Sequence, residues 1–131
     1  MKGYVTNLEK STLENEDYRR VLYTAKNCQL VLMSLKPGKD IGMEVHELDQ
    51  FLRFEKGEGK VILDGVEHLV SDGFAVVVPA KTNHNVINTS LTEDLKLYTV
   101  YAPPEHKDQV VRRTKEEAET IEEHFDGITT E

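Results

Sequence analysis

The middle of the chain alternates. Gln50, Leu52 and Phe54 hold even positions, with Arg53 and Glu55 between them. Side chains alternate faces along a strand, so this spacing predicts a strand with 50, 52 and 54 facing inward and 53 and 55 facing water. Phe51 breaks the pattern and is expected to pack under the N-terminal arm. Glu44 and His46, two residues apart, fall on one face of a strand of their own.

Upstream, residues 20–25 and 28–35 read as two strands around a turn at Lys26-Asn27, both rich in aliphatic or β-branched residues. The second is almost continuously apolar, the mark of a strand buried on both faces, and Pro37-Gly38 stops it. Downstream, residues 60–63 and 66–70 flank Asp64-Gly65, a two-residue hairpin signal. Residues 74–78 predict another buried strand, and 85–88 and 95–101 the last two, closed by Pro103-Pro104. Short strands at this spacing predict an all-β sandwich or barrel.

The ends differ from the middle. Residues 1–19 are polar and read as an extended arm or edge strand that covers the barrel or crosses to a partner. From residue 105 the composition becomes charged. Thr114 to Glu117 is a capping-box pattern, and Ala118, Ile121 and Phe125 recur at helical spacing. A short helix is predicted over 115–125, its acidic remainder a solvated face. The chain is thus one domain over 1–131: an arm (1–19), a barrel (20–104) and a tail with a short helix (105–131).

Charge narrows the partners. The formal net charge of −8 disfavours nucleic acid or an anionic membrane as the main partner. Cys28 is the single cysteine, so no internal disulfide forms and a cytoplasmic setting is the default. Cys28 itself reads as a small buried hydrophobe. The N-terminus has no apolar signal region, and no run reaches the roughly 20 apolar residues of a membrane helix.

Four residues carry candidate chemistry. Glu44, His46, Gln50 and His84 supply a carboxylate, two imidazoles and an amide oxygen, donors that suit a divalent transition metal with open positions. From spacing alone these remain equally compatible with partly buried histidines and a rim charge. His68 and His106 lack spaced partners and read as exposed, and His124 as surface. Asp49 has odd parity and faces out. Tyr98 and Tyr101 read as packing residues, and Lys81 as a loop residue at the mouth.

Two stretches carry a family resemblance. The first runs Gly38, five residues, Glu44-Val45-His46, three residues, Gln50, six residues, Gly57. The second runs Gly73, five residues, Pro79, Lys81, two residues, His84, three residues, Asn88. In this spacing the chain resembles the cupins, the double-stranded β-helix or jelly-roll family, over residues 28–102. Glu44 stands where the family has its first His, Gln50 where it has Glu, and Lys81 where it has the inner Gly. The resemblance implies a metal site of Glu44, His46, Gln50 and His84 holding Mn, Fe, Ni or Zn. Glu44 for His and Gln50 for Glu relocate the single carboxylate and leave the ligand charge unchanged. Asn88 reads as a structural strand-end residue.

The function this implies is a small metalloenzyme, an isomerase or lyase on a sugar-like or carboxylate molecule, with Glu44 as the general base where it is not a ligand. A dioxygenase is less expected, since the usual three-His-one-Glu set is absent. Two other readings stay open: a non-catalytic ligand-binding or sensing barrel, and a barrel kept for assembly. The expected partners are a small-molecule ligand and a second copy in a homodimer.

Overall fold

The alternating segments pair as two antiparallel sheets in a computed structural model that describes residues 2–131. In chain order the elements are α1 (Leu8–Glu14), β1 (Arg19–Thr24), β2 (Gln29–Leu35), β3 (Asp49–Lys56), β4 (Glu58–Leu63), β5 (Val66–Ser71), β6 (Ala75–Val78), β7 (His84–Asn88), β8 (Leu95–Ala102), β9 (Val111–Arg112) and α2 (Lys115–Thr120). One sheet has six strands in the order β6-β3-β8-β2-β1-β9, and the other has three in the order β5-β4-β7. Their inner faces enclose the core, as in a jelly-roll barrel.

Register sorts that core along the barrel. Phe54 lies opposite Leu97, Leu52 opposite Thr99, and Gln50 opposite Tyr101. On the other side of β8, Met33, Val31 and Gln29 meet the same three residues. One end of the interior is therefore apolar, with Leu35, Phe54, Leu95 and Leu97 all buried, and the other carries Gln29, Gln50, Thr99 and Tyr101. A gradient of this kind places polar chemistry at one mouth.

Asp64 and Gly65 take φ of 46° and 83°, the left-handed pair that a tight hairpin between β4 and β5 needs. Gly57 takes φ 98°, and a Cβ there would lie 2.5 Å from the Asp94 carbonyl oxygen. Lys81, at the family's glycine position, also has φ 69°.

Several expectations are corrected. The arm is not extended: Asn7 caps α1 by accepting from the Lys10 amide at 3.1 Å. This arm covers the outer face of β2 and β8, which is why Leu32 and Lys96 are buried. The Lys96 ammonium is satisfied by the Leu13 and Asn15 carbonyls at 2.9 and 2.7 Å and by Glu16 at 2.8 Å. Residues 74–78 are not a buried strand. β6 is a sheet edge, and Phe74 and Val77 are exposed. Cys28 is exposed because it sits in the turn before β2, which begins at a fully buried Gln29 instead. Arg53 is partly covered and pairs at 3.6 Å with Glu55, whose side chain is nearly buried rather than pointing freely to water. The C-terminal helix ends at Thr120, where Arg112 donates to the Ile121 carbonyl and the chain turns back along the barrel. Phe125 then donates to the Glu105 carbonyl, and Thr130 to that of Thr24.

Candidate metal centre and ligand cavity

Backbone pairing brings the two motifs together. Residues 39–44 run alongside β7 without forming a full strand. Ile41 donates to Val86, and Glu44 and His84 exchange both backbone hydrogen bonds at 2.8 and 2.9 Å. Residues directly opposite in an antiparallel pair point to the same face. Glu44 and His84 therefore share one face, and His46 joins them two residues on. The Lys81 amide donates to the His46 carbonyl at 2.7 Å, so the loop after Pro79 closes beside it.

The side chains gather at the polar end of the barrel. Glu44 Oε2 lies 3.2 Å from His46 Nε2. The His46 and His84 rings are 5.2 Å apart, and Tyr101 stands edge-on to His46 at 5.9 Å. His84 Nδ1 donates to the Thr82 carbonyl at 2.9 Å, which leaves its Nε2 with a free lone pair. Gln50 donates to Thr99 Oγ1 at 3.0 Å, so its Oε1 is presented to the interior. Gln50 Oε1 and His46 Nδ1 are both buried without a hydrogen-bond partner. Asp49 points outward and accepts from the Ala80 amide.

These donors fit a divalent cation in kind. Two imidazoles, a carboxylate and an amide oxygen suit Mn, Fe, Ni or Zn. The fit is one of chemistry rather than a closed cage. Among the described residues no three His, Cys, Asp or Glu side chains already converge as a ligand group. Glu44 instead engages His46 directly, and that contact is the one a cation has to displace.

Charge is set by the same contacts. Burial pushes the Glu44 carboxyl up, but the hydrogen bond from His46, with His46, His84 and Arg19 nearby, outweighs it and holds the pKa below the ordinary value. Burial pulls His46 down, but Glu44 outweighs that and raises it. The pair is thus an ionised carboxylate beside a basic imidazole.

A cavity of about 400 Å³ opens beside this cluster, between residues 41–44, the start of β1, and α2 with the following tail. Of the four sequence-predicted ligands, Glu44 alone lines it; His46, Gln50 and His84 lie deeper. Tyr18 and Ala118 also line it, with Arg19, His106 and Glu123. Burial pushes the Tyr18 hydroxyl up to about 12. The outer wall is pinned by Lys115, which donates to Asp40 at 2.7 Å.

Two wall residues escaped the sequence reading. His106, expected to be exposed, is buried at 7%. Glu123, expected on a solvated face, has a side chain only 8% exposed and meets Arg112 at 3.1 Å, His106 at 3.0 Å and Arg19 at 3.6 Å. Three basic partners at positions 19, 106 and 112 leave no periodic signal in the sequence. Asn88 is structural as expected: it is buried and bridges the Leu35 and Glu93 carbonyls.

Comparison with known proteins agrees with the fold. The cupin-domain family profile matches residues 31–101. The chain is 46% identical over 129 residues to the protein YrkC of Bacillus subtilis, covering 93% of this chain and 69% of YrkC. It is 47% identical over 108 residues to a protein of Acanthamoeba polyphaga mimivirus, covering 79% of this chain and 67% of that one. A crystal structure of a Bacillus halodurans protein superposes with a TM-score of 0.89 at 42% identity, over 92% of this chain and 96% of that one. Similarity thus extends well beyond the family domain, into the arm and tail. No helix among the described residues is long and apolar enough to cross a membrane.

Proposed function

The chain belongs to the cupin family, and we propose that it is a metal-dependent isomerase or lyase acting on a small, sugar-like molecule. The observation that carries this reading is the convergence of the His46 and His84 rings, 5.2 Å apart, with Glu44 on His46 Nε2 and the Gln50 amide beside His46 at the polar end of the barrel.

His46, Gln50 and His84 would hold the cation, and displacing Glu44 from His46 leaves its carboxylate free to act as the base. When bound it supplies Lewis acidity, polarising a carbonyl or hydroxyl of the substrate. The rest of the work falls to the chain. Thr82 fixes the His84 ring and Thr99 fixes Gln50, so the donors are oriented before any ligand arrives. Glu44 reaches both the donor cluster and the cavity, and its carboxylate is ionised. In that position it takes a proton from the substrate carbon next to a carbonyl and returns it to the neighbouring atom. The cavity wall carries Glu44, Glu105, Glu119, Glu122 and Glu123 against Arg19. That excess of negative charge favours an uncharged polyhydroxyl substrate over a carboxylate.

Metal content tests the proposal. Protein purified without chelator should carry close to one Mn, Fe, Ni or Zn per chain; His46→Ala and His84→Ala should each lose it, and Glu44→Ala should keep it. A wild-type protein that stays metal-free after incubation with all four ions would sink the reading. Stabilisation by a sugar panel without product would move the protein to the ligand-sensing class.

We also carry a homodimer forward as a proposal. Exposed Phe74 and Val77 on the edge strand β6 are one place to test it. Sedimentation of a Val77→Lys variant should show a monomer where the wild type is a dimer.

A further inference from the structure

The tail builds a second polar centre on the cavity from residues that the family domain does not reach. His106 and Glu123 lie beyond residues 31–101, yet both line the same cavity as Glu44. The backbone of His106 is fixed from below. Buried Gln29 accepts from the His106 amide at 2.9 Å and donates to its carbonyl at 2.7 Å. The imidazole is held at both nitrogens: Nδ1 lies 3.0 Å from Glu123 Oε1, and Nε2 lies 3.4 Å from the Tyr101 hydroxyl.

The protonation of this unit follows from its partners. Burial pushes Glu123 up, but the His106 contact, with Arg19 and Arg112 alongside, outweighs it and keeps the carboxyl ionised. An ionised carboxylate only accepts, so the hydrogen sits on Nδ1 and the lone pair on Nε2. Burial lowers the His106 pKa, and Glu123 opposes this without reversing it. The charged groups around the ring are Glu123 and Arg112 from the tail side, Arg19 from β1, and Glu105 beside it. Tyr101 adds a hydroxyl whose own pKa is raised by burial. The result is a neutral imidazole, oriented by a carboxylate and lining a ligand cavity, whose Nε2 lone pair faces the Tyr101 hydroxyl at a long 3.4 Å. A carboxylate-oriented neutral imidazole on a cavity is the arrangement a general base needs.

We propose that His106, held by Glu123, is the second proton-transfer residue of the cavity, working with Glu44; this rests on the isomerase reading above. Moving a carbonyl along a sugar-like chain requires two proton transfers. Glu44 takes the hydrogen from the carbon beside the carbonyl as a proton. Its electron pair becomes the carbon–carbon double bond, and the carbonyl oxygen becomes the alkoxide of an enediolate. His106 Nε2 takes the proton of the adjacent hydroxyl, and Glu123 balances the imidazolium that forms. The proton passes from Nε2 to the alkoxide, and Glu44 returns its proton to the other carbon. Both protons stay on the product, and no oxidant or reductant is used. His106 is then a catalytic residue and Glu123 a positioning residue.

Two measurements on the wild-type protein test this without a known substrate. Long-range 1H–15N correlation spectra at pH 7 should show His106 as the Nδ1–H tautomer. Diethyl pyrocarbonate, which acylates an unprotonated imidazole nitrogen, should modify His106 through the cavity alongside the exposed His68 and His124, as mapped by mass spectrometry. A purely structural His–Glu pair gives the tautomer without the reactivity. Glu123→Gln should lose most of that reactivity, and Tyr101→Phe, which clears the hydroxyl from Nε2, should raise it. The proposal is overturned if His106 is the Nε2–H tautomer, or stays unmodified once His68 and His124 are fully acylated. Metal content separates the two readings. Metal-free protein with a reactive His106 removes the metalloenzyme reading and keeps the base; metal-loaded protein with an inert His106 removes the base alone.

Discussion

Replacing Lys96 by methionine removes one charge and keeps a side chain of nearly the same length. In the folded chain Lys96 is 3% exposed, and its ammonium reaches the carbonyls of Leu13 and Asn15 and the carboxylate of Glu16. Hydrogen bonds to a charged group are worth about 1.5–3 kcal/mol each, so the two carbonyls account for about 3–6 kcal/mol. Glu16 adds little. Lys96 and Lys36 hold its carboxyl down at about 2, but its side chain is 68% exposed and water screens the pair. Against the loss, the variant no longer keeps an ammonium out of water, which returns a few kcal/mol. The net expectation is a destabilisation of about 2–4 kcal/mol, or a fall in Tm of about 10 °C for a domain of this size. Urea unfolding followed by circular dichroism gives the free energy. Amide exchange over residues 12–17 shows whether the arm lets go first. Glu16→Gln provides the comparison and should cost less than about 1 kcal/mol. A Lys96→Met loss under about 1 kcal/mol would refute the claim that this ammonium anchors the arm.

Three further outcomes are expected. Asn88→Ala strands the Leu35 and Glu93 carbonyls and the Ser90 amide, and should cost about 2–4 kcal/mol by urea unfolding. Gly57→Ala puts a methyl against the Asp94 carbonyl oxygen in a left-handed backbone and should cost about 3 kcal/mol, whereas Gly65→Ala, with open space around it, should cost less. Acid should release the tail. Glu123 has a lowered pKa, so its contribution is complete above the ordinary carboxylate pKa and is lost as pH falls through the lowered value. His106 is also lowered, so its contribution is complete above the ordinary imidazole pKa and is lost as pH falls from there toward the lowered value. Both act in one direction at the tail, while His46, with its raised pKa, acts against His106 on global stability; amide exchange of the tail from pH 7 down to pH 3 should therefore show protection falling in two stages, and Glu123→Gln should flatten the lower one.

The residue pattern alone determined most strands of the barrel, though not β9 and not the edge position of β6. Alternation at 50, 52 and 54 reports which side chains face inward, and Asp64-Gly65 reports a turn that few other pairs adopt. The motif spacing from Gly38 to Asn88 identified the family and gathered Glu44, His46, Gln50 and His84 at one mouth, because pairing register follows from where the glycine turns fall. Alternation does not report what covers a strand's second face. Lys96 is buried because α1 lies over it, β6 is exposed because nothing pairs beyond it, and Cys28 is exposed because β2 starts one residue later. Nor does local pattern report contacts made across the chain. His106 and Glu123 meet Arg19 and Tyr101 only because the tail folds back over the barrel mouth, and burial and charge at that cavity follow from this return. The sequence placed Glu44, His46, Gln50 and His84 on the barrel; the tertiary structure alone decided which wall stands opposite them.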